Sequence, residues 1–139
     1  MPGFAVALLD VDGTLRSHDD WKPGALDLIG SLGRAGIPIG MCSGRAVDSL
    51  RMIAADLPEI RYVVGGSGSA ALRREGDGWV PLATRPLPDA SIRRTLETAD
   101  KHGFEAWGFT PDAWIVERVT PKVETDIAIT GAQPTIAPL

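Results

Sequence analysis

Cysteine is almost absent from this chain of 139 residues: Cys42 stands alone. That excludes an internal disulfide, and with it a small secreted scaffold held by bridges. Cys42 itself reads as a small core residue. Histidine is nearly as scarce, at His18 and His102. Neither has a metal-ligand partner at a useful spacing, so both read as surface residues and a zinc site finds no support. Long apolar runs are missing; none approaches the roughly 18 residues of a membrane-spanning helix, and no membrane partner is expected. The opening MPGFAVALLD lacks the basic segment of a signal peptide and runs directly into acids, so the expected location is the cytoplasm. Basic residues form no run or stripe: 14 of them stand against 18 acidic ones, for a net charge of −4. This argues against a nucleic-acid partner and leaves anionic small molecules open. What is present is ordinary globular composition, 44% hydrophobic and 23% charged, at a length that can bury a real core.

Phe4 to Leu9 is a continuous apolar run without helical period, the pattern of a strand covered on both faces. After Pro23 and Gly24, residues Ala25, Leu28, Ile29 and Leu32 fall at i, i+3, i+4 and i+7, an amphipathic helix that Gly36 stops. Ile37–Cys42 is a second apolar run. Val47, Leu50, Ile53, Ala54 and Leu57 form a second helical stripe, closed by Pro58, and Arg61–Val64 is a third strand. This βαβαβ rhythm predicts a parallel sheet with crossover helices, the ends of Phe4–Asp10 and Ile37–Cys42 lying on one side of it. Beyond Gly65-Gly66-Ser67-Gly68 the rhythm changes. Ala70–Arg74 and Trp79–Thr84 flank a Gly/Asp turn as a hairpin. Pro88 and Asp89 open a third helix, with Ile92, Leu96 and Ala99 inward and Gly103 at its end. Phe104–Phe109 and Trp114–Val119 read as an antiparallel pair, and Pro121–Ile129 as a helix. The tail GAQPTIAPL has no clear period. The chain divides into 1–86, a parallel α/β unit with its hairpin, and 87–139, an α+β unit.

The first apolar run ends in Asp10-Val11-Asp12-Gly13-Thr14. In extended backbone, residues i and i+2 point the same way, so both carboxylates aim past the C-terminal end of the strand, where open parallel sheets bind ligands. Two carboxylates at one spot repel unless one protonates or a cation lies between them, and a hard divalent ion such as Mg²⁺ suits such oxygens. Gly13 permits a positive-φ turn, and the Thr14 hydroxyl can bond the loop. Cys42-Ser43-Gly44-Arg45 lies at the end of the second strand and the start of a helix. There free N–H groups, the Ser43 hydroxyl, a close approach at Gly44 and the Arg45 charge favour a phosphate group. An acidic pair facing an anion cradle is a phosphoryl-transfer arrangement. Blander readings stand beside it: a solvated turn at Asp10–Asp12, a helix cap at Ser43, a solvated helix residue at Arg45, and mere packing for Trp107 and Trp114.

Asp10-Val11-Asp12-Gly13-Thr14 resembles motif I of the haloacid dehalogenase-like phosphatases, and Ser43 within Cys-Ser-Gly-Arg resembles motif II. Val63-Val64-Gly65-Gly66-Ser67-Gly68 is similar to the third-strand end of the Cof-like branch, where Asn-Gly-Ala is more usual. Motif I is specific: by average residue usage D-x-D-G-T arises by chance in such a chain about once in a thousand. The resemblance implies a Rossmann-like α/β core followed by a partial α+β cap from about Leu87. It implies Asp10 as nucleophile and metal ligand, Asp12 as general acid/base with its carbonyl on Mg²⁺, and Ser43 on the phosphoryl oxygens with Gly44 and Arg45 nearby. The expected activity is Mg²⁺-dependent hydrolysis of small phosphorylated metabolites, sugar phosphates for instance, through an aspartyl-phosphate.

Two family elements are not visible: the later lysine of motif III and the later acidic pair of motif IV. Lys122 falls among cap residues, and Asp126 has no acidic partner of the right kind. The expectation is therefore a chain that stops within the cap, is weak or inactive alone, and self-associates through an apolar edge. The alternative is a non-catalytic half-domain that binds or dimerises.

Overall fold

The computed structural model describes residues 5–17 and 20–139. Phe4 and His18 lie outside them. The elements run β1 (Ala7–Asp10), β2 (Arg16–Ser17), β3 (Asp20–Trp21), α1 (Ala25–Arg34), β4 (Ile39–Cys42), α2 (Val47–Ala54), β5 (Ile60–Gly65), β6 (Ala70–Glu75) and β7 (Gly78–Thr84). Then follow α3 (Asp89–His102), β8 (Gly108–Phe109), β9 (Trp114–Val116), α4 (Pro121–Thr130) and β10 (Thr135–Ile136).

One five-stranded sheet has the order β1-β4-β5-β6-β7. β1, β4 and β5 are parallel, joined by the helices α1 and α2 as the rhythm of the sequence predicts. The sheet is mixed rather than purely parallel, because the β6–β7 hairpin continues it antiparallel to β5. Glu75 pairs with Gly78, so the turn has two residues, and Gly76 takes φ 58° at the first of them. A two-residue hairpin of this kind asks for glycine there.

Successive right-handed crossovers in one direction leave both helices on one face of the sheet. Ala25 and Ile29 of α1 and Val47, Leu50 and Ala54 of α2 are buried against Ile39, Met41, Ile60, Val63 and Leu72. Leu28, counted in the first stripe, is instead 46% exposed; Ala25 and Ile29, one turn apart, carry the contact. The opposite face is different. Register sets Leu8, Gly40 and Tyr62 side by side, and a Cβ on Gly40 would lie 2.6 Å from Leu8 Cδ2 and 3.2 Å from Tyr62 Cβ. Glycine is what lets those neighbours close over β4. Leu8 nevertheless stays 58% exposed. Among the described residues β1 is thus the outer strand of the sheet, with one face open, not the doubly covered strand its composition predicts.

Arg74 joins hairpin to helix. Its guanidinium donates to the carbonyls of Ile60 (3.0 Å), Leu57 (3.4 Å) and Ala54 and lies over the Trp79 ring at 4.7 Å. It is a second donor at the end of α2 and in the turn beyond, where Ala54 O also accepts from Leu57 N and Leu57 O from Ile60 N, each at 3.0 Å.

The C-terminal segment forms a three-stranded sheet, β10-β9-β8, over a cluster of Trp114, Val116, Val123 and Ala132. β8 and β9 form the expected antiparallel pair, shortened to the residues beside the turn. β10, in the tail without period, pairs parallel with β9. α4 starts after Thr120, whose Oγ1 accepts from Val123 N at 3.4 Å, with Pro121 at the first helical position. The inward face expected for α3 is only partly covered: Leu96 and Ala99 are half-buried, Ile92 is 42% exposed and no residue of the helix is fully buried.

Candidate active site

β1 stops at Asp10, and the chain turns at once. Leu15 N and Arg16 N both donate to Val11 O at 2.9 Å, Gly13 N donates to Arg16 O at 2.8 Å, and Gly13 takes φ 79°. Val11 and Leu15 are buried and fasten this loop to the core, while Asp10, Asp12 and Thr14 stay on its outer side. The two carboxylates therefore share the sheet's end through a turn, not through the extended backbone the i, i+2 argument assumes. Thr14 Oγ1 donates to Asp10 Oδ2 at 2.8 Å, a side-chain partner in place of the loop backbone its hydroxyl was expected to bond.

Register places Asp10 beside Cys42, so Ser43-Gly44-Arg45 leaves β4 at the same end of the sheet. Burial and the Asp10 charge push the Cys42 thiol up, consistent with an unreactive packing residue. α2 begins at Val47. The Ser-Gly-Arg stretch is thus a loop before the helix, and Ser43 is not its cap. Ser43 Oγ accepts from Arg45 N at 3.2 Å inside this loop.

Ser43 and Arg45 reach across to Asp12. Ser43 Oγ donates to Asp12 Oδ2 at 3.2 Å. Arg45 Nε lies 2.9 Å from Oδ2, and its terminal nitrogen 2.7 Å from Oδ1. The Arg45 side chain is only 6% exposed, against 52% for Asp12, and its other arm donates to buried Ser49 at 3.4 Å. A fixed, two-pronged guanidinium thus rises from beneath to grip an outward carboxylate. The Arg45 hydrogen bonds hold the Asp12 carboxyl below its usual range against the opposing effect of burial, with the Arg45 charge, the Ser43 hydroxyl and Arg16 adding to the lowering.

The loop after β5 supports the cradle. Ser43 N donates to Val64 O (3.0 Å), Gly66 N to Arg45 O (2.8 Å) and Ser67 N to Ser43 O (3.3 Å). A Cβ on Gly65 would meet Val47 Cγ2 at 2.8 Å and Arg45 O at 3.0 Å, so this approach needs glycine. Ser67 sits at φ 54°, a left-handed conformation unusual for a side-chain-bearing residue. Its part in bracing Ser43 was not evident from composition. Neither was Lys22, whose Nζ donates to Gly13 O and ties the turn to the β2–β3 hairpin.

Asp126, on α4, also belongs to this neighbourhood. Burial pushes its carboxyl up, Arg45 pulls it down, and Asp12 pushes it up again. A Cβ on Gly131, at the end of the same helix, would come 3.3 Å from Met52 Cε of α2. The end of α4 thus lies against Met52 of α2.

Among the described residues, no group of three or more His, Cys, Asp or Glu side chains is arranged to hold a metal ion. The donors that the family resemblance implies are fewer: the Asp10 carboxylate, which lies exposed at the end of β1, and the Asp12 backbone carbonyl. They fit Mg²⁺ in kind, since that ion usually takes one or two carboxylates and completes its shell with water and substrate phosphate.

A mixed sheet with parallel β1, β4 and β5, two crossover helices and an acid-bearing turn at its end, answered by a buried arginine from the next loop, defines an α/β protein. Over residues 7–133 the chain matches the family model of haloacid dehalogenase-like hydrolases, and it belongs to that family. No curated protein matches it significantly. Among solved structures it is similar to a phosphatase of this superfamily from Bacteroides thetaiotaomicron, at 28% identity and TM-score 0.69, covering 96% of this chain and 49% of that one. A sugar phosphatase of superfamily subclass IIB shares the fold at 15% identity and TM-score 0.77, covering 96% and 53%. So does a protein of Thermotoga maritima at 14% identity and TM-score 0.73, covering 97% and 50%. The chain spans about half the length of these structures. Among the described residues no helix is long and apolar enough to cross a membrane.

Proposed function

We propose that this site performs Mg²⁺-dependent hydrolysis of small phosphorylated metabolites through an aspartyl-phosphate on Asp10. The observation that carries the reading is the grip of Ser43 and Arg45 on Asp12. A hydroxyl and a buried guanidinium already bind the two oxygens of an anion here, and phosphoryl oxygens make the same demands on geometry and charge.

Asp10 Oδ2 accepts the Thr14 hydroxyl, which leaves Oδ1 to attack phosphorus. The Asp10–phosphorus bond forms as the bond to the leaving oxygen breaks, and Asp12 delivers the proton that oxygen needs. Water then attacks the aspartyl-phosphate, Asp12 takes the proton back, and phosphate leaves. Ser43, Gly44 and Arg45 hold the phosphoryl oxygens. Asp10 and the Asp12 carbonyl would hold Mg²⁺, which supplies charge compensation for the transferring group. Arg45 opposes protonation of Asp12 until a phosphate draws it away.

The expected later lysine and carboxylate are not recognisable in this chain. Loss of one preorganised electrostatic group commonly costs about a hundredfold to a thousandfold in rate, so this chain alone is read as a weak catalyst that binds Mg²⁺ weakly. A second reading, a non-catalytic and self-associating half-domain, is favoured by the exposed Leu8 on the edge strand β1. We further read the protein as cytoplasmic and homo-oligomeric. Mg²⁺-dependent turnover of p-nitrophenyl phosphate separates the two readings. Slow turnover that disappears in Asp10→Asn fits the first; turnover equal in both proteins overturns the assignment of Asp10.

A further inference from the structure

Two residues beside the Ser-Gly-Arg loop stand the wrong way round for packing alone. Gly66, Ser67 and Gly68 follow β5 with φ 55°, 54° and 94°, three left-handed residues in succession. Glycine takes such backbone freely, whereas a Cβ is pressed against the following carbonyl oxygen. Ser67, with ψ 34°, is the one side-chain-bearing residue among those described that adopts a positive φ. Gly44 shows the reverse. It is not among the glycines of positive φ. Of the described residues beyond its chain neighbours, only Ser67 Oγ lies within 4 Å of a Cβ built on Gly44, at an ordinary contact distance of 3.5 Å. Neither backbone nor packing asks for glycine there. A side chain is thus kept where glycine would be relaxed, and left out where one would fit, and the two positions face each other. Ser67 N donates to Ser43 O at 3.3 Å, which holds Ser67 against the Ser-Gly-Arg loop. Ser67 is also exposed, so a ligand from solvent can reach its hydroxyl.

We propose that Ser67 is a further binding residue for the phosphoryl group, its hydroxyl donating to a phosphoryl oxygen seated over Gly44. This rests on the phosphohydrolase reading, which puts that group on the Ser43-Gly44-Arg45 loop. The absent side chain at Gly44 leaves the room, and the ends of β4 and β5 each supply a hydroxyl, from Ser43 and Ser67. A serine hydroxyl carries one O–H donor that rotates to suit its acceptor, and its bond to an ionised oxygen is stronger than one between neutral groups. Left-handed backbone at a residue other than glycine costs free energy, and such strain gathers where geometry serves a ligand.

The experiment titrates inorganic phosphate into this chain with Mg²⁺ present, following the backbone amide resonances of Ser43, Gly44 and Arg45. Parent, Ser67→Ala, Ser67→Gly and Gly44→Ala are compared, and denaturant unfolding of each is measured alongside. Ser67→Ala keeps a Cβ in the left-handed backbone and loses only the hydroxyl; Ser67→Gly loses the hydroxyl and the strain together. We expect both to weaken phosphate binding by about tenfold, the loss of one hydrogen bond to a charged group. We expect Ser67→Gly to unfold at the same denaturant concentration as the parent or a higher one. Weaker binding without weaker folding is what a merely structural serine would not give. Gly44→Ala should fold and bind phosphate at least as poorly, because its methyl fills the seat. Parent-like binding in Ser67→Ala, or weakening in Ser67→Gly alone, overturns the proposal and leaves the phosphate site standing. Parent-like binding in Gly44→Ala overturns it as well, since phosphate then lies elsewhere than over Gly44. If phosphate moves none of these amides in the parent, the phosphohydrolase reading fails and the role of Ser67 fails with it.

Discussion

Asp12 carries opposite demands: the proposed chemistry needs it to give up and regain a proton, yet Arg45 holds it ionised. Replacing Arg45 by alanine removes the largest stabilising influence on the carboxylate, so the Asp12 titration moves up toward the ordinary 3.8. Carboxyl-detected resonance against pH checks this, and an unmoved titration contradicts the pairing. The sign for stability follows. Folding lowers this pKa, so the contribution of the pair is complete above the unfolded value and fades as pH falls through the lower folded one. In Arg45→Ala this acid-side loss of stability shrinks. The D-x-D-G-T run made the acids legible in the sequence, because adjacent residues of unusual type carry that signal. The grip of Arg45 on Asp12 was not legible, since it joins residues brought together only by the β1–β4 pairing. Lys22 and Ser67 were hidden for a related reason: each meets a distant backbone carbonyl, Gly13 O and Ser43 O, which leaves no trace in residue type.

The alternation β1-α1-β4-α2-β5 was readable because hydrophobic period changes sharply at Gly36, Pro58 and the Gly65–Gly68 run. Amphipathic pattern says which face of a helix is apolar but not whether anything covers it, and α3 shows the difference with no buried residue. β10 was unreadable because a two-residue strand has no period. Two predictions concern joints between elements. Arg74→Met removes the side-chain donor shared by the Ala54, Leu57 and Ile60 carbonyls and leaves the Trp79 ring without its cation. We expect a loss of about 2 kcal/mol in denaturant unfolding, and a change below a few tenths would contradict the capping role. Gly65→Ala forces a methyl against Val47 and the Arg45 carbonyl. The expected cost is about 1–3 kcal/mol, with displaced Ser43 and Arg45 amide resonances; a variant as stable as the parent would show that the loop has room.

β1 is a parallel strand at an open edge, with Leu8 exposed beside it, and such an edge invites pairing with another chain. Sedimentation should therefore show self-association that weakens in Leu8→Lys, whereas a monomer at every concentration would contradict it. The architecture as a whole brings Asp10, Asp12, Ser43 and Arg45 to one end of one sheet, and the central claim about that end is that Asp10 accepts a phosphoryl group. The most direct measurement is to incubate the chain with Mg²⁺ and excess p-nitrophenyl phosphate, trap acyl phosphate with hydroxylamine, and locate the modified residue by mass spectrometry. We predict slow, Mg²⁺-dependent modification confined to Asp10 and absent from Asp10→Asn. Modification at another carboxylate, equal modification of Asp10→Asn, or none after prolonged incubation would contradict the account.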